Sequence, residues 1–387
     1  MAVTPHQIDL WSGNMAHLYQ SLEGEILRLV IQRLNNGADN IAEWQLQKLR
    51  ELHLFNAETA KLVAEVSGVS EKEVQRMFNE LGDSSLKEID DSVPKGQHLQ
   101  PTASSTDLVM KAYYDQAWGS LDNYVNQTLL STNYGYGSGL TRLYNDIINK
   151  TVAAFNTGLF TFEEALERTV RQWAQQGIKS TFIDKGGHTW SIERYVRTVL
   201  KSTMGNTYNE LRTSRMSEYG IHTVVVSSHM GARLACSLIQ GNVVDLRENV
   251  PENSKYKSIY DPYWKADYGT AGGHRGVNCG HAWFPFIPGV NTNNQPIFNK
   301  EENDKVAALQ KKQRDLERKI VKLKKNKMVS EAMGNKEGAQ SWQNGITATQ
   351  RAVRSLVDSN RYLSRDYKRE KVYTPLDTLL KDFRYDN

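Results

Sequence analysis

Residues 216–231 read MSEYGIHTVVVSSHMG, and the fold turns on this stretch. Up to Tyr219 the chain keeps a helical period. Ile192, Tyr195, Val196, Val199, Met204 and Leu211 recur along one face of a helix expected over 192–219. Gly220 is its natural stop, because a helix C-terminus favours a residue that adopts positive φ without strain. Thr223-Val224-Val225-Val226-Ser227 is then short and β-branched, which predicts a buried strand. Residues 229–300 are rich in Gly, Pro, Asn and aromatics, a compact module of short strands and ordered loops, with a second strand expected at 282–286. This switch inside an otherwise helical chain predicts an α+β protein, predominantly helical, with a compact small α+β module near 180–300.

Upstream, Thr4 and Pro5 read as an N-cap followed by proline in the first helical turn. Ile8, Trp11, Met15, Leu18, Leu22, Ile26 and Val30 form one apolar face that stops at Asn35-Asn36-Gly37. Further helices are expected near 41–55, 57–66 and 71–81, the last opened by a Ser70–Glu73 capping box. Residues 83–106, rich in Asp, Ser, Pro, Gly and Thr, read as a linker. Helices follow over 107–130 and 140–156, separated by a glycine-punctuated turn at 133–139. Another, capped by Thr161 and Glu164, runs through Trp173 to Gly177, and Gly186-Gly187 make a turn.

Downstream, Leu309, Leu316 and Leu323 repeat at seven residues beside Val306 and Ile320. After a turn at 334–338, Ile346, Thr349, Val353, Leu356 and Leu363 repeat the pattern, with Asn360 at a seam position. This predicts a C-terminal basic antiparallel helical hairpin, closing on its own chain or on a second copy. The resulting domain reading is a helical region over 1–95, a helical middle region over 107–220, the compact module over 221–300, the hairpin over 301–370 and a tail over 371–387.

At 387 residues, 39% hydrophobic, the chain is long and apolar enough for a sizeable core, which excludes a disordered protein. No run approaches a membrane span, and MAVTPHQIDLW lacks the basic start and apolar core of a secretory signal. Two cysteines exclude a disulfide framework and suit a thiol-reducing compartment. The net charge of +4 conceals a gradient. Residues 1–100 hold nine basic and fifteen acidic side chains, whereas 311–327 alone hold nine basic against two acidic. The nine are Lys311, Lys312, Arg314, Arg318, Lys319, Lys322, Lys324, Lys325 and Lys327. Such a stripe suits a phosphate backbone, an acidic protein surface or a solvated helix face.

Two constellations carry chemistry. Residues 59–77 have a helix-turn-helix spacing at Ala64, Gly68 and Val74, but the second helix presents Glu71 and Glu73 in an acidic region, which argues against duplex reading. His229, Cys236, Cys279 and His281 include both cysteines. Cys279 and His281 fall on one side of an extended segment, so a structural Cys2His2 zinc site is chemically reasonable, though the spacing is not that of a zinc finger. A packed thiol with hydrogen-bonded histidines, an oxidised Cys236–Cys279 pair and a Cys–His nucleophile are the alternatives. His274, within Gly272-Gly273-His274-Arg275-Gly276, reads as a turn residue. GxxxxGK[ST], GxSxG, HExxH and a strand-GxGxxG-helix unit are absent.

The run Ser227-Ser228-His229-Met230-Gly231-Ala232-Arg233, with Gln240-Gly241, Gly276-Val277-Asn278-Cys279-Gly280-His281 and Phe286-Ile287-Pro288-Gly289, resembles the phage minor capsid protein 2 family of tailed-phage head-morphogenesis proteins. The stretches leading into and out of the 192–219 helix, and Gln313-Arg314-Asp315-Leu316-Glu317-Arg318-Lys319-Ile320, are similar to the family as well. The likeness covers roughly 160–370, and the N-terminal helices carry no motif of their own. Gly280 stands where the family commonly has a basic residue, whose role Arg275 could supply. The resemblance implies a non-enzymatic structural minor head protein in the virion, assembled in the host cytoplasm. Its implied partners are the portal protein, the major capsid or scaffolding protein and genomic double-stranded DNA, with no membrane. A metal-dependent enzyme on 221–300 and a helix-turn-helix DNA binder are the competing readings.

Overall fold

Residues 3–37, 39–92, 106–130 and 139–385 are described by the computed structural model. They are 67% helical with small antiparallel sheets, the predominantly helical α+β class expected. The chain forms two compact units, one of residues 1–12, 74–118 and 198–312, the other of residues 13–73, 119–197 and 313–387.

The chain opens with α1 (Pro5–Leu34), α2 (Ile41–Arg50) and α3 (Leu52–Ser92). Thr4 is the cap expected, its Oγ1 accepting from the Gln7 N–H at 3.2 Å. The helix-turn-helix reading is overturned, because Ala64, Gly68 and Val74 all lie inside α3. Ser70 caps nothing and instead donates to the Val66 carbonyl one turn back, at 2.7 Å. Phe55, Val63, Val66, Val74, Met77, Phe78, Leu81 and Ile89 are buried along one continuous helix face. No proline interrupts that face. The exposed Gly68 costs about 1 kcal/mol relative to alanine, too little to break a helix whose apolar face is continuous. The helix also runs through the first part of the expected 83–106 linker. Residues 93–105 of that linker, and all but Gly139 of the 133–139 turn, lie outside the described residues.

Helices α4 (Thr106–Leu121), α5 (Gln127–Leu130), α6 (Gly139–Asn156) and α7 (Phe162–Gln176) follow. Thr161 and Glu164 form the reciprocal capping box of α7. An unforeseen hairpin, β1 (Lys179–Ile183) and β2 (Thr189–Ser191), folds around Asp184, which accepts from the Gly186 and His188 N–H groups, both at 2.9 Å. Helix α8 (Ile192–Glu218) then ends before Gly220, whose φ is +68°.

In the first unit, β3 (Thr223–Val226) is the centre of an antiparallel sheet between β4 (Val243–Asp245) and β5 (Trp283–Pro285). Val224 and Val226 enter a cluster with Ile239, Val244, Ile259, Trp264 and Trp283, and Val225 is buried on the opposite face. Burial on both faces is why the strand reads as an unbroken β-branched run. The short α9 (Leu234–Ser237) lies between β3 and β4.

Helices α10 (Lys300–Ala332) and α11 (Lys336–Asp358) form the C-terminal hairpin. In the second unit Ile320 packs with Ile346 and Val353, flanked by Leu316, Leu323 and Val357, so the hairpin closes on its own chain. Asn360 is not a seam residue. It lies past the end of α11, where its Oδ1 accepts from the Tyr362 N–H at 2.9 Å. The tail carries α12 (Leu376–Tyr385), with Leu376 and Leu380 buried.

Candidate metal centre

Two segments of the first unit meet beyond the end of β3: α9 carries Cys236, and the loop before β5 carries His274, Cys279 and His281. One donor atom from each of these four residues lies within 4.8 Å of every other. Cys236 Sγ and Cys279 Sγ are 3.9 Å apart, and both cysteines are free, so the oxidised pair is not formed. Cys279 Sγ is 3.5 Å from His281 Nδ1.

The loop's course follows from its glycines and arginines. A Cβ at Gly273 would stand 1.9 Å from the Asp267 carbonyl oxygen, and one at Gly276 2.4 Å from that of Ala271. Neither position tolerates a side chain. Arg275 and Asn278 hold left-handed backbone, with φ of 66° and 59°, a strain that surrounding contacts must overcome. The Arg275 guanidinium donates to the His281 carbonyl at 3.1 Å and to the Gly205 carbonyl at 2.9 Å. Arg233 donates to the carbonyls of Gly273 and Val277. The Ser227 N–H donates to the Ala282 carbonyl and Ser227 Oγ accepts from the Ala282 N–H, which fastens the loop's end to β3.

The buried Gln240 side chain orients the cluster. Its Oε1 accepts from His281 Nε2 at 3.2 Å, which leaves the His281 Nδ1 lone pair facing Cys279. The same oxygen accepts from the His229 N–H at 3.1 Å. His274 is fully buried, and burial pushes its pKa down to about 3, so its ring is neutral at neutral pH. The contact between the two sulfurs pulls the pair apart, lowering the pKa of Cys279 and raising that of Cys236, which burial raises further.

The donor set therefore differs from the one expected. His229 was to be the fourth member, but it is solvent-exposed and stacks on His281 with ring centroids 4.1 Å apart. His274 takes its place, because the glycine-rich loop folds inward where a surface turn was anticipated. The signal in the sequence was its position five residues before Cys279 within the glycine-rich run 272–276.

The cationic stretch is divided as well. Lys325 forms a 2.5 Å ion pair with the buried Glu23, and Lys324 Nζ donates to the Glu370 carbonyl at 2.7 Å. Arg314 pairs with the buried Glu317, Arg318 with Asp315 and Lys327 with Glu331. Lys311, Lys312, Arg318, Lys319 and Lys322 are exposed.

Comparison with known proteins gives a consistent answer. The family model described as phage minor capsid protein 2 matches residues 3–358, so the likeness extends through the N-terminal helices. A structural protein of Lactococcus phage LL-H is 36% identical over 368 residues, covering 92% of this chain and 98% of that protein. A structural protein of Lactococcus phage mv4 is 35% identical over 120 residues, covering 31% of this chain and 94% of that protein. No solved structure matches.

Proposed function

The chain belongs to the phage minor capsid protein 2 family, and from that premise we propose that it works by adhesion inside the phage head, binding a head protein and packaged DNA. It is a structural protein of the virion and not an enzyme. Among the described residues no helix is long and apolar enough to cross a membrane.

The observation that carries the DNA arm is the exposure of Lys311, Lys312, Arg318, Lys319 and Lys322 on α10. Cations without a buried partner keep their charge for phosphates, and binding releases the counterions condensed on the duplex. Contact of this kind is indifferent to sequence and weakens steeply with salt. Partners for the protein arm are the portal protein first, then the major capsid or scaffolding protein. The acidic surplus of residues 1–100 supplies charge to meet a basic face on such a partner.

Two measurements test the reading. The full-length chain is expected to retard duplexes of unrelated sequence equally at low salt, and the combined Lys311→Glu, Lys319→Glu and Lys322→Glu variant is expected to lose most of that retardation. Absence of retardation at low salt removes the DNA arm. Co-expression with the phage's own portal protein is expected to yield a complex that survives gel filtration, and separate elution from portal, capsid and scaffold proteins removes the protein arm.

A further inference from the structure

We infer that Cys236, His274, Cys279 and His281 form a closed, structural zinc site. The inference is independent of what the protein binds in the head, since it rests on four side chains within one unit.

The distances suit a tetrahedron. With Zn–S near 2.3 Å and Zn–N near 2.05 Å, an S···S edge is about 3.8 Å and an S···N edge about 3.6 Å. The sulfurs stand 3.9 Å apart, and Cys279 Sγ is 3.5 Å from His281 Nδ1. A disulfide would require about 2.05 Å between the sulfurs. The widest separations, up to 4.8 Å, leave side-chain adjustments of about 1 Å to complete the coordination.

The surroundings are those of a metal ligand set. His281 donates its other ring N–H to Gln240, the outer contact that fixes the tautomer of a metal-bound imidazole. His274 Nδ1 is buried without any hydrogen-bond partner. Because the Trp283 indole N–H donates to His274 Nε2 at 3.1 Å, the ring proton of the metal-free chain sits on that orphaned Nδ1. Coordination at Nδ1 satisfies that atom and moves the proton to Nε2, at the cost of the Trp283 indole contact, which then loses its acceptor.

Two thiolates and two imidazoles suit zinc, and four protein ligands leave no position for water, so the site holds structure and performs no hydrolysis. What it joins is explicit: α9 through Cys236, and the 273–281 loop through the other three.

The test uses the full-length chain, produced with supplemented zinc and purified under reductant without chelator. One zinc per chain by mass spectrometry of metals is expected. Cobalt(II) exchanged into the wild-type chain is expected to show the intense visible bands of tetrahedral thiolate–imidazole coordination. His274→Ala and Cys279→Ser are expected to fall below about a tenth of an equivalent, while His229→Ala, its helical circular dichroism unchanged, retains the metal. Should His274→Ala fail to fold, the wild-type cobalt spectrum and the His229→Ala metal content still decide. A wild-type chain without zinc or tetrahedral cobalt bands, a Cys236–Cys279 disulfide in its place, or loss of zinc from folded His229→Ala would overturn the assignment.

Discussion

The loop that carries Cys279 and the hairpin of α10 and α11 solve the same problem by opposite means. The hairpin is held by period: Ile320, Ile346 and Val353 meet along a seam that regular helices bring into line. The 266–281 loop has almost no regular structure, and polar contacts hold it. Arg233 and Arg275 reach backbone carbonyls, Gln240 orients His281, and glycines sit where a Cβ cannot. A helix tolerates a local defect because neighbouring turns repeat the same interaction. A loop of single-use contacts has no such redundancy, so each residue matters for a separate reason.

The sharpest way to break that contrast is a glycine substitution in the loop. Gly273→Ala forces a Cβ to 1.9 Å from a backbone oxygen, so a loss exceeding about 4 kcal/mol is expected in denaturant unfolding. In the other region, Lys325→Ala removes the cation from the buried Glu23 carboxylate, leaving it the Ile178 N–H, and is expected to cost about 3 kcal/mol. Lys322→Ala, on the exposed side, should stay within about 0.5 kcal/mol, which separates structural from solvent-facing cations in one helix. Ile320→Ala empties the centre of the seam for about 2–5 kcal/mol, read as a lowered denaturant midpoint.

Gly345→Ala should carry the opposite sign to the loop change. Its Cβ would meet Leu323 at an ordinary 3.5 Å inside α11, so a gain of about 1 kcal/mol is expected in thermal unfolding. The smallest effect is a pH dependence. Burial lowers the pKa of His17, whose Nε2 contacts the Thr374 hydroxyl at 2.9 Å. Its unfolded form binds protons first, so its stabilising contribution is full above about pH 6.5 and fades as the pH falls through the lower folded value. His17→Gln should flatten that slope in a pH series of melting temperatures.

Much of the architecture was readable in advance. The Thr161–Glu164 box, the stop at Gly220, the buried valine strand and the two hairpin helices all appear at the expected places, because each is set by interactions a few residues apart. The Gly68 corner failed for a related reason. A glycine is a weak local signal, and the long apolar face of α3 outweighed it. The β1–β2 hairpin went unseen because its strands are too short for a period, and Asp184 organises it by hydrogen bonds that composition does not display. Of the four residues singled out in the sequence, Cys236, Cys279 and His281 come together in the structure, and the fourth side chain beside them is His274, which reads as a turn residue in the sequence.

Sequence alone thus determined the helical period, the caps and the buried strand, carried by residues adjacent in the chain or a turn or two apart, and the family likeness, carried by short separate motifs. Tertiary structure decided that His274 and not His229 joins the cysteines, that Lys324 and Lys325 are occupied within the protein, and that the two units draw on separated stretches of chain. Those outcomes depend on side chains brought together over long sequence separations, where packing and desolvation, rather than local backbone preference, choose the partner.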